Sequence, residues 1–109
     1  MGTNEAIERL RIFVAERDWS QFHTPTNLAK SISIEAAELL ECFQWSDEVT
    51  EVNQEAIKGE LADVLTYCYL LADKLGESPE QLILTKLEQT RAKYPTDKAR
   101  GKSTKYDRL

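Results

Sequence analysis

The sequence predicts an all-α protein, a four-helix bundle that shares its surface with other copies in an oligomer. Three observations carry that reading. Glycine occurs four times and proline three times in 109 residues, so the chain has few of the breaks that short strands and tight turns need. Apolar residues recur at three- and four-residue spacing through four long segments, and no stretch alternates like a half-buried strand. A domain of this length buries roughly 65 % of its unfolded surface, and so thin a core favours burial shared between copies.

The first helix is predicted from about Asn4 to Arg17, with Ile7, Leu10, Phe13 and Val14 on one stripe. Asp18 to Pro25 reads as a loop, because its aromatic residues crowd together without a period. Thr26 is the expected cap of a second helix over Asn27 to about Gln44. Ser46 and Asp47 offer caps for a third segment, which begins irregularly near Thr50 and ends at Gly76, a residue suited to the left-handed position after a helix. The run Ser78-Pro79-Glu80-Gln81 has the form of a capping box with proline at the first helical position. The fourth helix therefore spans Pro79 to about Lys93, and Pro95 stops it. Thr96 to Leu109 reads as a polar tail. Residues 1–109 form one predicted domain with a basic tail over 95–109.

The net charge of −5 conceals a split. Residues 1–90 hold seven Lys/Arg against seventeen Asp/Glu, a net of −10, whereas residues 91–109 hold seven against two, a net of +5. An acidic body argues against nucleic acid as the partner. The basic tail fits either a solubilising end or a gatherer of phosphate oxygens. No apolar run approaches the roughly 20 residues that span a bilayer, and MGTNEAIERL lacks the pattern of a secretory signal. The expectation is a cytoplasmic protein with no membrane contact. Cys42 and Cys68 have no metal-type spacing and read as reduced structural thiols.

Chemistry enters with the carboxylates. On the second helix Leu28, Ile32, Ala36, Leu39 and Phe43 form the apolar stripe. At 100° per residue, Glu35 lies about 60° from Ile32 and Glu38 about 120° to the same side, with Glu41 roughly opposite and facing solvent. On the third helix the stripe is Ile57, Leu61, Val64, Cys68, Leu71 and Leu75. Glu60 falls about 40° and Asp63 about 100° from Val64, again to that side. One acid pair at this spacing is usually a solvated face. Two pairs on matching flanks would bring four carboxylates together when the helices pack, and they would repel unless a cation sat between them. Oxygen donors alone suit Mg²⁺ or Mn²⁺ rather than zinc. The single histidine, His23, lies in a loop, which closes the di-iron alternative that needs a Glu-x-x-His on each of two helices.

Trp19, Phe22 and His23 lie before the second helix, Trp45 ends it, and Tyr67 sits one turn after Asp63. Each aromatic alone closes a small core. Together, beside the acids, they suggest a pocket that stacks a base while a metal holds phosphates. Lys86, Arg91 and Lys93 could meet the phosphate end.

Glu35-Ala-Ala-Glu38, followed after 21 residues by Glu60-Leu-Ala-Asp63, resembles the ExxE…ExxD signature of MazG-like nucleoside triphosphate pyrophosphatases. ERDWSQFHTPTNLA (16–29), ECFQW (41–45), KYP (93–95) and ARGKSTKY (99–106) resemble the dCTP pyrophosphatase branch, so the likeness covers nearly the whole chain. The resemblance implies an all-α bundle assembled as a homodimer or homotetramer. It implies conversion of a nucleoside triphosphate, dCTP or a modified dCTP, to the monophosphate and pyrophosphate, a form of nucleotide-pool sanitation. By the same resemblance Glu35, Glu38, Glu60 and Asp63 match the catalytic Mg²⁺ ligands. Trp19, His23, Trp45 and Tyr67 match positions around base and sugar, and Lys86 matches a phosphate-side position. Thr90, next to Arg91, stands where family members often carry asparagine, keeping a hydroxyl in place of the amide. Glu38, pointing furthest from its stripe, is the choice for orienting the attacking water. Two alternatives stand beside this reading: hydrolysis of another nucleotide, such as dUTP or phosphoribosyl-ATP, and a non-catalytic helical dimerisation module with solubilising acids.

Overall fold

The structure, a computed structural model, describes residues 3–109. It is helical as predicted, and the described residues include no strand. The elements are α1 (Thr3–Glu16), α2 (Pro25–Glu41), α3 (Gln54–Lys74), α4 (Pro79–Lys93) and a short α5 (Thr96–Ala99). Single 3₁₀ turns at Ser20–Phe22 and Tyr106–Arg108 complete them. The chain divides into two compact units, one running to Ser78 and the other Pro79–Leu109.

In the first unit α2 lies along α3, and α1 packs on α3. Local chemistry sets the helix ends. Thr24, not Thr26, caps α2: its Oγ1 accepts the Asn27 N–H at 3.1 Å, and Pro25 takes the first helical position, where no N–H is needed. The helix stops at Glu41, three residues short of the predicted end. There the chain tightens into successive three-residue turns, with Phe43 N–H donating to Leu40 O and Gln44 N–H to Glu41 O. Thr50 and Asn53 then bind each other, Thr50 N–H and Oγ1–H both donating to Asn53 Oδ1. Asn53 Nδ2 reaches back to the Cys42 carbonyl at 3.3 Å, which fixes the start of α3 against the end of α2. At the far end, Gly76 (φ +71°) turns the chain out. Its N–H donates to Asp73 O and that of Glu77 to Ala72 O, which satisfies the last carbonyls.

The core is small. Val14 of α1, Leu28 of α2 and Leu70 of α3 meet at its centre, with Leu10, Tyr67 and Leu71 packed around them. This corrects the predicted stripe on α3. Leu61 and Leu75 are 44 % and 58 % exposed, whereas Leu70, about 120° from Val64 on the acid-bearing side, is buried. The interface is rotated toward the carboxylates because α1 covers that flank of α3. Ala36, also expected on the stripe, is exposed.

The second unit corrects the predicted polar tail. Residues after Pro95 form α5 and then fold back, so that the Tyr94 and Tyr106 rings meet edge to face at 6.1 Å. The Tyr106 N–H donates to Tyr94 Oη, and Lys93 Nζ lies 4.7 Å from the Tyr106 ring centre.

Candidate active site

Helix α2 presents Glu35 and Glu38 at three-residue spacing, and α3 presents Glu60 and Asp63 in the same way. Packing α2 on α3 brings Glu35, Glu38 and Glu60 together, with one carboxylate oxygen of each within 4.8 Å of the others. All three are half-buried, and Asp63 is exposed beside them. Glu35 Oε2 and Glu60 Oε2 are cut off from solvent and have no hydrogen-bond partner.

Orphaned carboxylate oxygens are costly unless protonated or paired with a cation. The electrostatics agree. Glu35 is pushed above the usual carboxylate range, first by its side-chain hydrogen-bonding approach to Glu38, then by burial and by the charges of Glu38, Asp63 and Glu60. Glu60 is raised first by burial, then by Glu38 and Asp63. Glu41 also acts on Glu60, so the residue expected to face solvent is exposed yet contributes to the field of the cluster. Two unsatisfied oxygens inside an all-oxygen donor set are what a hard divalent cation would complete. The residues fit a metal.

A cavity of about 330 Å³ opens from this cluster, with Glu35 and Asp63 at its acidic end. Trp19, His23 and Tyr67 line it, over a floor that includes Leu10 and Leu70. Trp19 stands edge-on to Phe13 at 5.6 Å, and Trp19 remains 43 % exposed. His23 titrates below its ordinary value, chiefly through burial and then through the charge of Lys74.

Three of the four predicted aromatic and histidine positions thus share one cavity with two of the acids. Trp45 does not line it: it lies in the turn after α2, 90 % exposed. Lys86, Thr90 and Arg91 belong to the second unit, where their partners are local. Lys86 Nζ donates to Gln89 Oε1, Thr90 Oγ1 to Lys86 O, and Arg91 pairs with Glu88 at 3.3 Å. Sequence reasoning missed Phe13 and Thr66 as wall residues. Thr66 follows Asp63 by three positions, so helical spacing could have found it. Phe13 was assigned to the first stripe, and only the turn that carries Trp19 against it reveals the second role.

An all-helical unit with facing ExxE and ExxD pairs beside an aromatic cavity has the oxygen donors that suit a hard divalent cation. The MazG-like family model matches residues 30–109. The chain is 38 % identical to mouse dCTP pyrophosphatase 1 and 39 % identical to the human protein, each time over 98 % of this chain and 68 % of the relative. A crystal structure of a pyrophosphatase from Archaeoglobus fulgidus superposes with a TM-score of 0.79 at 41 % identity, covering 84 % of this chain and 91 % of that one. The chain belongs to the MazG-like family. Pyrophosphatases of this family generally depend on a divalent metal, and Glu35, Glu38 and Glu60 form a cluster of acidic residues within reach of a single ion. No helix among the described residues is long and apolar enough to cross a membrane.

Proposed function

We propose that this protein hydrolyses dCTP, or a base-modified dCTP, to the monophosphate and pyrophosphate with Mg²⁺ held by Glu35, Glu38, Glu60 and Asp63. The observation that carries the proposal is the pair of buried, unpartnered oxygens of Glu35 and Glu60 in a carboxylate cluster whose Glu35 also lines an aromatic-walled cavity. The identity to dCTP pyrophosphatases along nearly the whole chain supports the choice of substrate.

Four clustered carboxylates would repel a polyanionic triphosphate. When bound, the cation supplies the positive charge that draws the phosphates in and offsets the charge developing on the leaving pyrophosphate. The chain's own residues do the rest. Trp19 offers a flat, partly exposed ring for the base, and Tyr67 lines the same cavity with Glu35 and Asp63. His23, held largely neutral by burial, can donate or accept one hydrogen bond to base or sugar without adding charge. Glu38 orients the attacking water toward the α-phosphorus and accepts its proton.

By family resemblance Trp45 belongs around the base and sugar and Lys86 at the phosphate side. Arg91 is assigned to the phosphates from its place near the end of α4, and Thr90, in place of the family's asparagine, to substrate preference. The exposed Ile34 and Leu40 on α2, with Leu61 and Leu65 on α3, support assembly as a homodimer or homotetramer. One domain, a cytoplasmic location and no nucleic-acid partner complete the reading.

The test is a panel of the common deoxynucleoside triphosphates, dUTP and 5-substituted dCTP included, assayed for pyrophosphate with Mg²⁺ and with chelator. The expected outcome is pyrophosphate from dCTP in Mg²⁺ alone. Orthophosphate as the first product, or turnover that ignores Mg²⁺, would overturn the proposal.

A further inference from the structure

The turn that carries Trp19 and His23 has no core of its own and is held by exposed polar contacts, Gln21 Nε2 donating to Asp18 O and Oδ2 and Asn27 Nδ2 to Phe22 O. It is a single 3₁₀ turn with no buried residue, entered through Asp18 at φ +53°. Short 3₁₀ segments have poor hydrogen-bond geometry, and Phe22 within it is 59 % exposed. Those contacts fix Asp18, Gln21 and Phe22 and leave Ser20, between the two cavity-lining residues, to a partner further along the chain.

The last turn of α3 reaches it. Lys74 Nζ donates to Ser20 Oγ at 3.1 Å, across 54 positions of sequence. Lys74 is itself placed beside Asp73, whose carboxylate its charge helps to keep below the usual range. Asp73 in turn receives Arg11 of α1 through Nε at 3.1 Å to both oxygens, and through a further guanidinium contact. From Ser20 the connection runs along the backbone. His23 N–H donates to Ser20 O, Phe22 N–H to Trp19 O, and Trp19 N–H to Val14 O. A second cavity of about 240 Å³, lined by Arg11, Ser20, Asp73 and Lys74, lies behind this turn and shares His23, Val14 and Leu70 with the larger one. Those shared residues form the wall between the two cavities.

We propose that Lys74 and Ser20 are positioning residues for nucleotide binding: their hydrogen bond, backed by the Arg11–Asp73 pair, braces the Trp19–His23 turn against α3 and so presents Trp19 and His23 to the base. The proposal rests on the nucleotide reading of the larger cavity. None of the four brace residues lines that cavity; the charge of Lys74 also reaches His23 directly, so Ser20, which carries no charge, isolates the contribution of the turn. A charge-assisted but solvent-exposed bond of this kind has a modest net effect.

Ser20→Ala and Lys74→Gln test it in the intact chain. The expected result is a rise in KM for dCTP of about three- to tenfold, the range one such bond spans, with kcat within about twofold. Ser20→Thr, which keeps the hydroxyl, should restore KM. A merely structural role would lower the melting temperature without this split or this rescue. His23 is the only histidine, so its imidazole NMR signals report the turn in the nucleotide-free protein, and Ser20→Ala, which leaves the Lys74 charge in place, should shift them at fixed pH. KM within twofold of the parent in Ser20→Ala overturns the brace. If the parent chain turns over no dCTP, the substrate reading fails instead. The brace is then judged on the His23 signals, and unmoved signals overturn it.

Discussion

Leu28 is the residue on which the first unit turns, and truncating it should cost more than any other single apolar change in α2. Its side chain is 1 % exposed and sits between Val14 of α1 and Leu70 of α3. Leu28→Ala removes three carbon atoms from that joint, a transfer cost of about 2.4 kcal/mol at ~0.8 kcal/mol per buried carbon. Space left unfilled adds about 24 cal/mol per Å³. The site already borders the 240 Å³ cavity, so the neighbours have little to collapse onto. A residual void of ~40 Å³ would bring the total to about 3.4 kcal/mol, inside the ~2–5 kcal/mol range for such changes. At ~4–6 °C per kcal/mol for a chain of this size, the melting temperature should fall by about 14–20 °C. Ser33→Ala on the same helix, at an exposed position, should change stability by less than ~0.5 kcal/mol. Circular dichroism melts with urea titrations measure both. A loss below about 1 kcal/mol for Leu28→Ala, or equal losses for the two variants, would refute the placement of the core at the α1–α2–α3 meeting point.

Further outcomes follow from the acid cluster. Glu38→Gln and Asp63→Asn should each lower pyrophosphate release by about 10²-fold or more, with the far-ultraviolet circular dichroism unchanged. Glu60→Gln removes a mutually repelling charge, so in chelator its melting temperature should exceed that of the parent. Its stabilisation by Mg²⁺ should shrink, an inversion that solubilising acids would not give. The raised values of Glu35 and Glu60 mean that the folded state holds protons the unfolded state has released. Without metal, their contribution is therefore fully present below the ordinary carboxylate range and is lost as pH rises through the raised folded values. The lowered value of His23 acts oppositely, since its contribution is lost as pH falls from about 6.5. In a His23→Gln background the metal-free melting temperature should thus rise as pH falls from neutral toward the ordinary carboxylate range. The Mg²⁺-induced increment should diminish over the same interval as protons compete for the carboxylates. A melting temperature that falls throughout in that background would count against the cluster.

Much of this site was legible along the chain because its chemistry is laid out on single helices. Glu35 and Glu38, like Glu60 and Asp63, lie a helical turn apart, and their angular offset from the apolar residues follows from 3.6 residues per turn alone. The limits of α4 and the glycine that ends α3 were equally local, set by Pro79 and by the left-handed position of Gly76. The cap of α2 was misplaced by two residues, because Thr24 and Thr26 flank Pro25 and only one of them can leave its hydroxyl facing the free N–H groups. Folding of the tail was missed because it depends on Tyr94 meeting Tyr106 twelve positions later.

By itself, then, the amino-acid order determined the helical class, the acid-bearing flank of each helix and the residue types that mark the family. Periodicity and capping are properties of neighbours in sequence. Only the tertiary structure decided that the two flanks face each other, that one oxygen each of Glu35 and Glu60 loses both water and partner, and that Trp19 and His23 join the acids while Trp45 stays in solvent. Those outcomes depend on how α1 covers α3, which rotates the buried face toward the carboxylates. No pattern within one helix encodes the angle at which another will cross it.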